Sequence, residues 1–120
     1  MTTANAKLDT FTEAYVIAAL WSSTDHNDEP MDKNYGIAEI APEALEKMIK
    51  DCAEFQEAHW ADISDDLERA GHDFWLTRNG HGAGFWDGDW PEAGDRLTDA
   101  AHAFGDVDLY ISDDGQVWGM

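Results

Sequence analysis

The chain is 120 residues long and sets 26 Asp and Glu against seven Lys and Arg, for a formal net charge of −19. The length fits one domain, 1–120. An apolar share of 43%, with six Trp and five Phe, excludes a disordered acidic tail. The charge repels nucleic acid and anionic lipid and attracts basic surfaces, so it points to a basic protein as partner, with no direct nucleic acid and no membrane. The longest apolar run, Ala14 to Trp21, is too short to span a bilayer. The first residues show no apolar signal core followed by a cleavage site. Cys52 is the only cysteine, which excludes an intrachain disulfide and a multi-cysteine zinc site. A cytoplasmic location follows as the expectation.

The spacing of Thr10 and Glu13 suits a capping box and predicts a first helix from Thr10 to Trp21 or Ser22, with Leu8 as a staple. Residues 22 to 40 read as a polar loop. A second helix begins at Pro42, in the first-turn position where its missing N–H costs nothing. Leu45, Met48, Ile49, Cys52, Phe55, His59, Ile63 and Leu67 recur on one face as far as Ala70-Gly71. Ser64 offers a point at which this helix can break near Asp62. Phe74-Trp75-Leu76-Thr77 and Gly84-Phe85-Trp86 are aromatic and β-prone, and Asn79-Gly80-His81-Gly82 between them predicts a hairpin. A third helix follows with Pro91 in its first turn, Leu97, Ala101 and Phe104 on one face, and Gly105 as terminator. Val107 to Ser112 and Gln116 to Met120 predict a second hairpin around Asp113-Asp114-Gly115. The order ααββαββ implies an α+β fold, a sheet of about four antiparallel strands with three helices packed on it.

No catalytic set is legible. His59 lies on the apolar helix face, as a packed histidine would. His72 and His81, with Asp73 and Asp87 close by, have the donor types of a zinc or iron site but no fixed spacing. Asp25, Asn27 and Glu29 start like a calcium loop, but Pro30 stands where that loop needs Gly and Gly36 where it needs Glu. Gly80, Gly82 and Gly84 alternate but lead into no helix N-terminus that would receive a phosphate. Cys52 falls on the core face, and Ser22 and Ser23 lack a nucleophile context. The expectation is therefore a protein without catalysis, cofactor or metal. Trp21, Trp75, Trp86 and Trp118 fit core or sheet positions, whereas Trp60 and Trp90 are better placed for partner contact.

Residues 71 to 87 read Gly-His-Asp-Phe-Trp-Leu-Thr-Arg-Asn-Gly-His-Gly-Ala-Gly-Phe-Trp-Asp. With Tyr15 to Ser22 and Asn34-Tyr35-Gly36-Ile37, this resembles a family of small acidic proteins of bacteriophages and prophages. The resemblance runs over most of the chain and implies action in a bacterial cytoplasm. It carries no activity and no functional residues with it.

Three classes of function fit these features. The first is an inhibitor of a basic, nucleic-acid-binding host protein, such as a restriction or CRISPR component, that presents carboxylates where its target expects phosphates. The second is an accessory protein that grips a partner through exposed aromatics. The third is a small metal-dependent enzyme. The outward side of the second helix carries the first reading: Asp51, Glu54, Glu57, Asp62, Asp65, Asp66 and Glu68 make a dense row of like charge, and Lys47 and Lys50 relieve only its start. Duplex DNA carries about one charge per 1.7 Å of axis, so a mimic needs further acid alongside, from Asp87, Asp89, Asp95, Asp99, Asp106 and Asp108. Trp60 and Trp90 complete the expected partner-binding set.

Overall fold

A computed structural model of the chain describes residues 8–25, 27–80, 84–85 and 90–119. Helix α1 (Thr10–Ser22) starts where the sequence predicts, but with a different cap. Asp9, not Thr10, accepts the free N–H of Thr12 at 2.8 Å, and Gln56 of the next long helix donates to the other Asp9 oxygen at 3.1 Å. Within the polar stretch after α1 lie a one-turn helix, α2 (Met31–Asn34), and a 3-10 turn at Ile37–Glu39. Met31 is fully buried, which is what draws this loop onto the core. Asp25 is an Asx turn, its Oδ1 accepting the N–H groups of Asn27 at 2.8 Å and Glu29 at 3.1 Å.

The expected four-stranded sheet is absent from the described residues, which hold helices α1 to α5 and one two-stranded sheet. The long second helix is two helices. Helix α3 (Pro42–Ile63) leaves helical geometry at His59 (φ −127°, ψ 19°) and ends at Ile63. Helix α4 (Leu67–Arg78) is started by Asp66, whose side chain accepts Arg69 N–H at 3.2 Å. The stretch predicted as the first hairpin strand is thus the second half of α4. Phe74, Trp75, Leu76, Thr77 and Arg78 are all buried, so this half shows solvent no polar stripe from which a period can be read. Gly84 and Phe85 belong to no strand, and the remainder of that predicted hairpin, 81–83 and 86–89, lies outside the described residues.

Gly71 does not stop a helix; it lets two meet. A Cβ at this position would stand 2.0 Å from the Phe11 carbonyl oxygen and 3.2 Å from Ala14 Cβ. Hydrogen there, with Ala14 and Ala70 beside it, brings α4 into backbone contact with α1. The core condenses around this contact as a cluster of rings. Phe55 stacks on Phe74 at 4.2 Å and on Phe85 at 5.6 Å between centroids, Phe104 meets Phe74 edge-on at 5.2 Å, and Tyr15 meets Trp75 edge-on at 5.4 Å. The Trp75 indole N–H donates to Ser22 Oγ at 2.7 Å, which fixes the end of α1.

Helix α5 (Gly94–Ala103) begins after Pro91 rather than with it, and Gly105 (φ 80°) terminates it as predicted. Strands β1 (Leu109–Ile111) and β2 (Val117–Gly119) form the second hairpin in the predicted place. Its turn is closed by Asp114, which accepts Gln116 N–H at 2.9 Å, and by Gly115 at φ 78°. Ala41 N–H donates to the Val117 carbonyl at 2.8 Å and pins β2 to the start of α3.

The Gly71 contact yields a test. Gly71→Ala inserts a methyl into backbone and is expected to lower stability by about 3 kcal/mol or more, at the upper end of overpacking costs. Gly80→Ala meets no atom within 4 Å and bears only the strain of φ +70°, an expected cost of about 1 kcal/mol. Urea midpoints of the two variants check the contrast; equal losses would mean that the helices are not in backbone contact.

Candidate functional site

Charge is the outlying property of the chain, so the site question begins with where each charge is held. Arg78 is a buried cation, its side chain 1% exposed. Its Nη1 donates to Asp51 Oδ2 at 3.0 Å and to the Tyr15 hydroxyl at 3.0 Å, its Nε to the Gly105 carbonyl at 2.7 Å, and its Nη2 to the Phe104 carbonyl at 3.0 Å. The guanidinium carbon lies 5.4 Å and 5.6 Å from the ring centroids of Phe74 and Phe104. Lys47 closes the carboxylate from the solvent side with bonds of 2.7 and 2.8 Å to the two Asp51 oxygens. Burial pushes the Tyr15 hydroxyl well above its ordinary pKa, against the pull of Arg78. The two Asp51 oxygens and four of the five Arg78 N–H groups are engaged within the protein, so the cluster acts as a clamp.

This corrects the expected partner-binding row at its first member. Asp51 is 3% exposed and faces inward; its position at the edge of the apolar arc let it pass for an outward residue. The other members are placed as follows. Glu54 is exposed and bridged to Lys50. Asp62 is held by Arg96 of α5 through two bonds, Nη2 to Oδ1 at 2.6 Å and Nε to Oδ2 at 2.8 Å. The hydrogen bonds from Arg96 hold Asp62 below the ordinary carboxylate range. Asp66 caps α4 and lies 3.9 Å from Arg69 Nε. Glu57, Asp65 and Glu68 are exposed and form no ion pair among the described residues. Asp87 and Asp89 lie outside the described residues.

The structure does bring part of the set together. Asp62, Asp65, Asp66 and Trp90 line one open groove of about 470 Å³ at the α3–α4 corner, where Glu92 and Arg96 face them from the start of α5. The supplementary acid is divided. Asp95 and Asp99 belong to α5, on this side of the molecule. Asp106 and Asp108 flank Val107, whose N–H donates to Asn79 at the far end of α4, about 18 Å from Asp66 along a 12-residue helix. The described carboxylates thus fall at the corner groove, along α5 and at the far end of α4.

Among the aromatics, Trp60 is 52% exposed, in keeping with a contact role, whereas Trp90 is half-buried. The Trp90 indole N–H donates to the buried Asp73 at 2.8 Å and its ring packs edge-on against Phe85. Trp21, expected in the core, is instead 45% exposed, and so is Ile17 one turn earlier at 50%. The sequence hides this stripe because α1 is apolar on every side; only its contacts tell which side remains uncovered. His59 packs its ring on Phe55 at 4.7 Å, and Cys52 is buried, which raises its thiol pKa. His81 and Asp87 are outside the described residues, so the His72–His81 pairing is not described. Among the described residues no group of three or more His, Cys, Asp and Glu is placed to hold a metal ion, and no helix is long and apolar enough to cross a membrane.

Two ion pairs give measurable consequences. Arg78→Met leaves Asp51 with Lys47 alone and strips donors from two carbonyls; the expected loss is about 3–5 kcal/mol by denaturant unfolding. The added change Asp51→Leu should recover part of it, since the lone buried charge is then gone. For Asp62 the folded pKa lies below the unfolded value near 3.9. Its pair with Arg96 therefore stabilises above about pH 4 and is lost as pH falls through the folded value. Arg96→Gln should melt below the parent at pH 7, and the gap should close on acidification. A gap independent of pH would mean that Arg96 acts through packing alone.

No family model, curated protein or solved structure matches the chain.

Proposed function

We propose that this chain is a non-catalytic acidic binding protein of phage type. Its partner would be a basic, nucleic-acid-binding host protein, such as a restriction or CRISPR component, met in the bacterial cytoplasm. The observation that carries the reading is the use made of the cations. Lys33, Lys47, Lys50, Arg69, Arg78 and Arg96, the six Lys and Arg among the described residues, each lie within 4 Å of a carboxylate oxygen. The surplus of −19 thus meets an approaching partner with little cationic relief, and a field of one sign steers association and competes with phosphate. Glu57, Asp65 and Glu68, exposed around the α3–α4 corner, are the contact carboxylates. Acid at both ends of α4 favours competition through a broad field over imitation of a duplex by one stripe.

A second reading has its own observation, the 52% exposure of Trp60, which suits a partner gripped through an aromatic.

Titration against purified restriction and CRISPR effector proteins, with labelled duplex DNA as competitor, separates the two. Binding through acid should be displaced by DNA and weaken steeply between low and moderate salt. Glu57→Lys/Asp65→Lys/Glu68→Lys should weaken it at least about tenfold while leaving the melting curve in place. The triple change is chosen because reversing Asp62 or Asp66 would also break the Arg96 bridge or the α4 cap. A folded triple variant that binds unchanged at low salt overturns the acidic reading. Loss on Trp60→Ser alone would put the aromatic reading first.

A further inference from the structure

Helix α1 is buried along its length except for the stripe Thr10, Glu13, Ile17 and Trp21. An outward stripe of a packed helix is ordinarily polar, yet Ile17 is 50% and Trp21 45% exposed, four residues apart and so neighbours on one face. Beside them runs an open groove of about 410 Å³ between α1 and α4, with Ala14 and Ile17 on one wall and Glu68, Arg69 and His72 on the other. The His72 ring lies against Trp21, centroids 5.8 Å apart and planes 32° apart, which closes that end with flat aromatic surface. At the other end stands Asp66, and Glu13 is exposed one turn before Ile17 on the α1 stripe. Ala14 and Ile17 give the groove an apolar wall, and on its rim the carboxylates of Asp66 and Glu68 outnumber the one cation, Arg69, which lies 3.9 Å from Asp66.

We infer that this groove receives a basic amphipathic helix of the partner protein. The helix would lay an apolar side over Ile17 and Trp21 and set Lys or Arg side chains against Glu13, Asp66 and Glu68. The inference rests on the acidic-binding reading above and adds the partner's shape. Charge complementarity selects this occupant. A second copy of the chain would bring another −19 to the same face, which opposes self-association. A groove between two helices is the seat an amphipathic helix takes in other recognition surfaces, and a Trp at its end supplies the large, rigid contact on which such binding turns. Asp66 and Arg69 also line the corner groove, so a helix seated here lies next to the contact carboxylates already assigned.

The test uses the full chain and a fluorescently labelled Leu/Lys peptide of about four helical turns, patterned so that its Leu residues share one face. A scrambled peptide of the same composition and a Gln-for-Lys analogue serve as comparisons, all read by anisotropy at moderate salt. The patterned basic peptide is expected to bind at least about tenfold more tightly than either comparison. Ile17→Ser/Trp21→Ser, two changes on exposed positions, should reduce it to the level of the scrambled peptide. Equal binding of patterned and scrambled peptides, or unchanged selectivity in the double variant, overturns the groove and leaves the acidic surface standing. Equal binding of the Gln-for-Lys analogue overturns the basic occupant. Glu57→Lys/Asp65→Lys, outside the groove, should weaken both basic peptides alike. If neither basic peptide binds, the groove and the reading beneath it both fall.

Discussion

Arg78 joins four parts of the chain at one buried point. It is the last residue of α4, and from there it reaches Tyr15 in α1, Asp51 in α3 and the carbonyls of Phe104 and Gly105 that end α5. A buried guanidinium is costly to desolvate, and the cost is met only where nearly every N–H finds an acceptor. That requirement fixes geometry. Helix α5 must end where its last carbonyls face the fork, α3 must turn Asp51 inward, and α1 must set Tyr15 above it. The guanidinium then lies against both the Phe74 and the Phe104 ring. Apolar packing would tolerate several arrangements of five short helices; this clamp is satisfied by one.

The clamp also governs how the acid is distributed. One carboxylate is drawn into the core, and Lys47 covers it. Bridges on α3 and between Asp62 and Arg96 hold the remaining cations close to the backbone elements they tie together. The cations of the described residues are thus used for construction, and apart from the buried Asp25 and Asp73 most of the remaining carboxylates face water. Exposed pairs contribute little to stability individually, so the aromatic cluster, with Phe55 and Phe74 at its centre, must offset the self-repulsion of the surface.

The sequence made some of this legible and not the rest, for identifiable reasons. The start of α1, the start of α3 after Ala41, the terminator Gly105 and the last hairpin are local features, set by caps, Pro, Gly and turn chemistry within a few residues. The error at Phe74 to Thr77 has the opposite origin. A run buried on all sides carries no period, and two aromatics, a Leu and a β-branched Thr suit a strand equally well until the Gly71 contact with Phe11 is known. Asp51 failed in the same way, since a carboxylate on a helix is solvated unless a guanidinium 27 residues away arrives to pair with it. Exposed Trp60 was legible from its place at the edge of the apolar arc. Trp90 was not, because its partner, the buried carboxylate of Asp73, lies 17 residues away and belongs to a stretch read as a turn.

These misreadings bear on function because each moves a residue between the inside and the outside. Asp51 is internal, and Asp62 and Asp66 are engaged in structure, so Glu54, Glu57, Asp65 and Glu68 are the members of the predicted row left on the surface without a fold-building role. With Trp21 moved outward, one turn from the exposed Ile17, the molecule gains an apolar strip beside the acid that composition alone does not reveal. Charge acts at a distance of about a Debye length and brings many basic proteins close; it discriminates poorly among them. Contact surface of defined shape is what separates one basic partner from the next. Under the proposed function, an acidic field beside a short apolar strip would divide the work of recognition, with rate supplied by the carboxylates and choice by the strip that α1 leaves uncovered.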